Sequence, residues 1–264
     1  MIGFIGCGNM ARAIISGMIE NKLVGRAHLI ASAASEFTQK YIAEELQIGL
    51  AADNKEVAER SDMIFLAVKP QILEKVIAEI RDIDLSGKTF IAMSPGKTFD
   101  WFSRQFGGPV ALIRTAPNTP LSAGEGMTAI CANALTAPDK LNMVTEIFSC
   151  LGVAVSVEEK QLDIALALGG STPAFAYMFI EALADGAVAE GMPRALAYKI
   201  AAQAVAGSGK MMLKTGKNPA ALKDEVTSPG GTTIEGINVL EDSAFRSAAM
   251  NAVRASIQKA EKLK

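Results

Sequence analysis

The sequence predicts an α/β protein in two parts: an N-terminal Rossmann-type doubly wound sheet over residues 1–157, followed by an all-helical domain over residues 158–264. Three observations carry this. Short apolar runs alternate with helical stretches through the first half. A glycine fingerprint stands between the first run and the first helix. After residue 157 the strand signals stop, and helical spacing alone remains. The chain has 264 residues, half of them hydrophobic, enough to bury the core of one large or two modest domains, and two fit the pattern better.

The first strand, Ile2-Gly3-Phe4-Ile5, runs into Gly6-Cys7-Gly8-Asn9-Met10-Ala11, and Ile14, Ile15, Met18 and Ile19 follow at helical spacing. This is the G-x-G-x-x-A pattern of dinucleotide sites. Gly6 permits the tight turn, Gly8 lets a pyrophosphate approach the backbone, and Ala11 keeps helix and strand close. The helix start, with Asn9 and Met10, faces the phosphates. A second strand is expected at Ala27-His28-Leu29-Ile30-Ala31. In NAD-preferring sites an Asp or Glu stands at its end, about 20 residues beyond the glycines. Here Ala31-Ser32-Ala33 leaves no carboxylate to repel a 2′-phosphate, and Ser32 can hydrogen-bond one; its alternative role is to cap a helix beginning near Ser35. NADP is therefore favoured. Because no arginine follows nearby to clamp the phosphate, use of NAD stays open.

Further strands are expected at Ile48 to Ala51, Met63 to Val68, Phe90 to Met93 and Val110 to Ile113, with helices between them. Continuous apolar runs of this kind are buried on both faces, which means a parallel sheet. Ligands of such sheets lie beyond the carboxyl ends of the strands, where the chain places Ala67-Val68-Lys69-Pro70, Ser94-Pro95-Gly96 and Arg114-Thr115-Ala116-Pro117-Asn118-Thr119-Pro120. A proline there also simply ends a strand. Val153 to Val157 is the last strand expected.

The second half reads as helices. Phe175 to Glu190 is apolar around most of its circumference, interrupted mainly by Glu181 and Asp185. Ala195 to Leu213 is a second long helix, with Pro193 at its start and Met211-Met212 near its end. Helices apolar nearly all round need cover that this half cannot supply alone, so a homodimer through it is expected, with the methionines as adaptable packing. A larger homo-oligomer stays open. After a polar connector, a short helix is expected at Ala220 to Asp224 and a last one at Ser247 to Lys262. Between them Ser228-Pro229-Gly230-Gly231-Thr232-Thr233 leads into Ile234, Ile237 and Leu240 at helical spacing. Two glycines admit close backbone approach, and a helix start turns unpaired N–H groups outward. The run suits a carboxylate, although a plain turn with a threonine cap has the same composition.

Composition narrows the partners. Net charge is −2 with acids and bases nearly balanced, so nucleic acid is not an expected partner, and a small molecule is. The three cysteines, Cys7, Cys131 and Cys150, lie far apart with no metal-ligand spacing; no metal or disulfide framework is expected, and a reducing cytoplasm fits. No signal segment and no membrane span of uninterrupted apolar residues is expected.

With these residues in hand, the chain resembles the pyrroline-5-carboxylate reductase family. The resemblance rests on Asp224-x-Val226-x-Ser228-Pro229-Gly230-Gly231-Thr232-Thr233-Ile234-x-Gly236-x-x-x-Leu240-Glu241, with Ala184-Asp185-Gly186-Ala187, the Lys69 segment and the Arg114 to Pro120 segment. Gly169-Gly170-Ser171-Thr172-Pro173-Ala174 departs from the family's usual Ser-Gly-Ser-Gly-Pro-Ala, and Ala116 replaces a bulkier residue. The resemblance implies reduction of 1-pyrroline-5-carboxylate to L-proline by NAD(P)H, the last step of proline synthesis. It implies that the Ser228 to Thr233 backbone, through Gly230, Gly231 and Thr232, holds the substrate carboxylate, with the Thr233 hydroxyl at the ring nitrogen. It also implies that Ser32 and Asn54 help hold the ribose phosphate of NADPH, in a cofactor site with Gly6, Gly8, Asn9, Met10, Ala11, Ala67, Val68, Lys69, Pro70, Ser94 and Asn118. The two signatures lie in different halves, so the site is expected where the halves meet, and which subunit supplies each half stays open.

The chemistry agrees with this. A protonated cyclic imine accepts hydride readily, and solvent can supply the proton, so no strong protein acid is needed; the single histidine, His28, is expected to be structural. Catalysis then comes from positioning and from the helix terminus. Two other readings compete. A hydroxy-acid dehydrogenase of the six-phosphogluconate or hydroxyisobutyrate kind would need a helical lysine with an asparagine one turn on, which Lys199 and Lys210 lack. An NADP-binding sensor without chemistry would not need the Ser228 to Thr233 run.

Overall fold

The computed structural model describes residues 1–261; Lys262, expected to end the last helix, lies outside the described residues. In chain order the strands are β1 (Ile2–Ile5), β2 (Leu29–Ser32), β3 (Gly49–Leu50), β4 (Met63–Leu66), β5 (Thr89–Ala92), β6 (Ala111–Pro117), β7 (Gly126–Ala132) and β8 (Gly152–Ser156). Helices α1 (Asn9–Glu20), α2 (Glu36–Lys40), α3 (Asn54–Arg60), α4 (Pro70–Ile80), α5 (Phe99–Phe106) and α6 (Pro138–Ser149) intervene. Then come α7 (Glu159–Ala189), α8 (Arg194–Thr215), α9 (Pro219–Glu225), α10 (Thr232–Asp242) and α11 (Phe245–Glu261).

All eight strands form one sheet in the order β3-β2-β1-β4-β5-β6-β7-β8. From β3 through β6 every pairing is parallel, and the order 3-2-1-4-5-6 is the doubly wound arrangement, reversing direction between β1 and β4. The sheet is nevertheless mixed. A strand the sequence did not announce, β7, pairs antiparallel with β6, and β8 runs parallel to β7. The second strand also starts later than expected, because Ala27 and His28 belong to a single 3₁₀ turn, Arg26–His28.

Period-2 alternation splits the apolar side chains between two cores. Phe4 and Phe65 stack on one face at 4.5 Å between ring centroids, with Ile14, Ile15 and Met18 of α1 and Phe148 of α6 against them. Ile5, Ile64 and Leu66 point to the other face, onto Leu73 and Ile77 of α4 and Phe102 of α5. These side chains are fully buried, each stabilising by about 1.5–3 kcal/mol relative to exposure, and together they fix the strand ends in register.

Contacts divide the described chain into one unit of Met1–Gly170 with residues 257–261 and a second of Ser171–Ser256. The helix α7 begins at Glu159, sixteen residues before the expected Phe175, and runs through Gly169, Gly170 and Pro173. Pro173 has no N–H to give the carbonyl four residues back, which is that of Gly169. The Asn118 side-chain amide donates to that oxygen at 3.0 Å, so the bond lost to proline is replaced. Gly169 itself is needed, since a Cβ there would stand 1.9 Å from the Met127 Cε.

Arg114, 2% exposed in β6, anchors the start of α7: its guanidinium donates to Glu159 Oε1 at 2.9 Å and Asp163 Oδ1 at 3.3 Å. In the second unit the helices leave large apolar side chains in the open, among them Tyr177, Met178, Ile200, Met211, Met212, Leu213, Val239 and Met250. By length and composition α7 is apolar enough to cross a bilayer, and only 6% of its most apolar window is buried within the chain.

Candidate functional site

The first half-site lies at the carboxyl edge of the sheet, at the switch between β1 and β4. Register sets Ile5 beside Ser32 on one side and Leu66 on the other, and Leu66 beside Ala92. The loops that leave these strands therefore emerge along one edge. Gly6 turns there at φ +89°, and a Cβ would lie 2.8 Å from the Ala67 carbonyl oxygen, so the turn and the close approach of the two loops both require glycine. Its N–H donates to the Ser32 carbonyl at 3.2 Å, and the Ala67 N–H to that of Ile5 at 2.9 Å.

Gly8 has a different reason to be glycine. It caps α1 without a side-chain bond, and nothing lies within 4 Å of where its Cβ would be. The N–H groups of Asn9, Met10 and Ala11 have no intrahelical partner at the positive end of a twelve-residue helix, beside the open space at Gly8. Buried Ala11 brings α1 onto the sheet. Val68 closes on Gly6, its Cγ1 also 2.8 Å from the Cβ position, while Lys69 and Pro70 start α4 and are exposed. Ser94, just beyond β5, is 6% exposed, and its hydroxyl has no hydrogen-bond partner. An open glycine cradle and an orphaned buried hydroxyl on one edge are what a pyrophosphate-linked ligand needs, so these residues fit a dinucleotide.

Ser32 and Asn54, far apart in sequence, are brought together: the Ser32 hydroxyl donates to Asn54 Oδ1 at 2.6 Å, and Asn54 Nδ2 donates to Glu79 Oε2 at 2.6 Å. The capping alternative for Ser32 is corrected. Ser35 caps α2, accepting from the Thr38 N–H at 3.3 Å, while Ser32 completes β2. Asn118 is also placed differently from a free ligand contact, since its Oδ1 accepts the Met127 N–H at 2.8 Å and its amide holds Gly169. It joins the edge through its place on the chain.

The sequence reading missed Glu79 and Arg12. The Arg12 guanidinium donates from Nε to the Cys7 carbonyl at 3.0 Å and from Nη2 to Thr38 Oγ1 at 3.2 Å, and it lies 4.1 Å from the centroid of the Tyr41 ring. No spacing rule marks a residue one position beyond the fingerprint as reaching α2. Burial pushes the Cys7 thiol up from its ordinary value, with Arg12 opposing, and burial likewise raises Cys131 and Cys150. Burial thus favours the neutral thiol at each of the three. Among the described residues no group of three or more His, Cys, Asp or Glu side chains could hold a metal.

The second half-site belongs to the second unit. The Gly231 N–H donates to the Ser228 carbonyl at 3.0 Å, closing a turn with Pro229 and Gly230 at its centre and Gly230 at φ +68°. Gly231, not a threonine, caps α10, and it offers no side-chain bond. A Cβ on Gly231 would stand 2.8 Å from the Ser228 Oγ. The helix therefore begins with exposed Thr232 and Thr233, hydroxyls and unpaired N–H groups together, after a turn whose positive φ at Gly230 favours glycine.

Comparison with known proteins decides the family. The chain is 44% identical over 262 residues to the pyrroline-5-carboxylate reductase of Escherichia coli (strain K12), covering 99% of this chain and 97% of that one. It belongs to the pyrroline-5-carboxylate reductase family. The Arabidopsis thaliana reductase is 34% identical, covering 99% of this chain and 95% of that one. Residues 159–263 match the family model for pyrroline-5-carboxylate reductase dimerisation, and residues 1–96 the one for NADP oxidoreductase, coenzyme F420-dependent. Among solved structures, a Coxiella burnetii pyrroline-5-carboxylate reductase superposes with a TM-score of 0.93 at 33% identity, covering 100% of this chain and 98% of that one. A Plasmodium falciparum pyrroline carboxylate reductase with NADP bound gives 0.87 at 31%, with 99% and 97% covered.

Proposed function

We propose that the chain reduces 1-pyrroline-5-carboxylate to L-proline by hydride transfer from NADPH, as a cytoplasmic enzyme of proline synthesis. The observation that carries this is the uncapped start of α10, where a glycine turn leaves N–H groups and the hydroxyls of Thr232 and Thr233 exposed side by side. A carboxylate gains about 0.3–1 kcal/mol from a helix N-terminus, and up to about 2 when partly buried. The N–H groups after Gly230 and Gly231 therefore share its binding with the Ser228 and Thr232 hydroxyls. Thr233, one residue further, offers its hydroxyl to the ring nitrogen, holding a proton where the imine needs one.

At the other half-site Gly6 and Gly8 shape the phosphate cradle with Asn9, Met10 and Ala11. Ser32 and Asn54 receive the adenosine ribose. Ala67, Val68, Lys69 and Pro70 with Ser94 wall the edge, and Asn118 braces it. When bound there, the nicotinamide supplies the hydride. NADPH is favoured because Ser32 stands where an acid would repel a 2′-phosphate. Residues 1–157 carry the cofactor role and residues 158–264 the substrate and assembly roles, the latter as a homodimer whose helices cover each other's apolar faces.

The test is the fall in NADPH absorbance when purified protein meets pyrroline-5-carboxylate, beside NADH and beside a hydroxy acid run in reverse. Rapid NADPH oxidation with the imine alone is expected. Bound NADPH that is not consumed would leave a sensor, and turnover of the hydroxy acid would make the chain a dehydrogenase.

A further inference from the structure

We propose that Arg12 selects NADPH over NADH by holding the 2′-phosphate of the cofactor, an inference that rests on the dinucleotide reading of the β1–β4 edge. β2 ends in Ser32, and the turn after it is Ala33, Ala34 and Ser35, so the segment that receives the adenosine ribose has no cation of its own. The fold supplies one from another element. Arg12 leaves α1 and is fixed by three contacts: the Cys7 carbonyl in the glycine turn, Thr38 Oγ1 beyond β2, and the face of Tyr41. Thr38 is in turn held by the Ser35 hydroxyl at 2.9 Å. The guanidinium therefore bridges the glycine turn and helix α2, whose Thr38 is tied by Ser35 to the end of the β2–α2 turn.

Its unspent chemistry points to a dianion. A guanidinium carries five N–H donors. Two are used, and among the described residues no carboxylate pairs with the group. An ordered, partly buried cation without a counter-charge suits bidentate recognition of a phosphate. The neighbouring polar groups cannot replace it: Ser32 and Asn54 are neutral and bonded to each other, and Lys55 leans toward Glu59 at 3.8 Å. NADH lacks the 2′-phosphate, so Arg12 adds nothing to its binding.

The experiment is a fluorescence titration of NADPH and of NADH on the full-length wild type, Arg12→Met and Arg12→Lys, at low and high salt, with displacement by 2′,5′-ADP. Methionine keeps an apolar stem on Tyr41 and removes the charge. NADPH affinity is expected to fall by about ten- to a hundredfold in Arg12→Met, with NADH within about twofold, and 2′,5′-ADP should lose its competition. Arg12→Lys should lie between, and the salt dependence of NADPH binding should weaken with the charge. Equal loss for both nucleotides would reduce Arg12 to a brace for the Cys7 turn and overturn the proposal, as would unchanged NADPH binding. A wild type that binds both nucleotides equally removes only the role of Arg12. One that binds neither removes the oxidoreductase reading as well.

Discussion

The two units of the chain spend their apolar residues in opposite ways. In the first, Phe4, Ile5, Ile14, Phe65, Phe90 and Phe102 are all 0% exposed, and the sheet is covered on both faces. In the second, Tyr177 is 63% exposed, Met178 69% and Leu213 72%, and α9, α10 and α11 contain no buried residue. One unit completes its own core; the other leaves its large apolar side chains exposed. Glycine-shaped turns sit on both, the first backed by its own packing and the second on helices with exposed apolar faces.

The comparison breaks most visibly at the exposed apolar face. Met178→Asp puts a charge where we place the dimer contact, and about 3 kcal/mol or more of association should be lost. Sedimentation should show monomers, with activity falling in step, while NADPH binding to the first unit persists. A dimer of unchanged stability would place the interface elsewhere.

The next effect separates the two glycine turns. Gly6→Ala faces both a positive φ and the Ala67 carbonyl at 2.8 Å, so about 2–4 kcal/mol of stability should go, and dinucleotide binding with it. Gly230→Ala meets no atom within 4 Å, so its cost is confined to the φ of +68°, about 1 kcal/mol, and should appear in substrate KM rather than in Tm. Thermal melts of the two variants would show the asymmetry, and equal shifts would erase it.

The smallest effect belongs to the thiols. Burial raises Cys7, Cys131 and Cys150 above their ordinary 9.0, so the folded state keeps them protonated while the unfolded chain ionises. Their contribution is full below pH 9.0 and lost as pH rises from there through the folded values. Thiol reagents at pH 8 should label the native chain slowly and the unfolded chain fast. Rapid native labelling would contradict this.

Much of this was legible in the residues, and the misses have physical causes. The glycine fingerprint and the seven expected strands are local patterns, and the fold follows them. Strand β7 was invisible because Gly126-Met127-Thr128-Ala129-Ile130-Cys131-Ala132 mixes small and polar residues, and its pairing with β6 is set by tertiary contact. Arg114 hid the extension of β6, since a buried arginine in a strand makes sense only with Glu159 and Asp163, forty-five and forty-nine residues away. Gly169, Gly170 and Pro173 interrupt the helical pattern, so the helix was expected only from Phe175. What rescues the helix is Asn118, far upstream, on the carbonyl that proline leaves unpaired. At the site, the Ser228 to Thr233 run was readable because its turn is local, whereas Arg12 and Glu79 reach their partners only through the fold.

The central claim is a division of labour: the sheet edge holds the cofactor, and the start of α10 holds the substrate. Thr233→Val tests it most directly, with kcat/KM for pyrroline-5-carboxylate and the Kd for NADPH measured on the same preparation. The division predicts a loss of about 1–3 kcal/mol in kcat/KM, roughly five- to 150-fold, with NADPH affinity unchanged. An unaltered kcat/KM, or a parallel loss of NADPH binding, would contradict it.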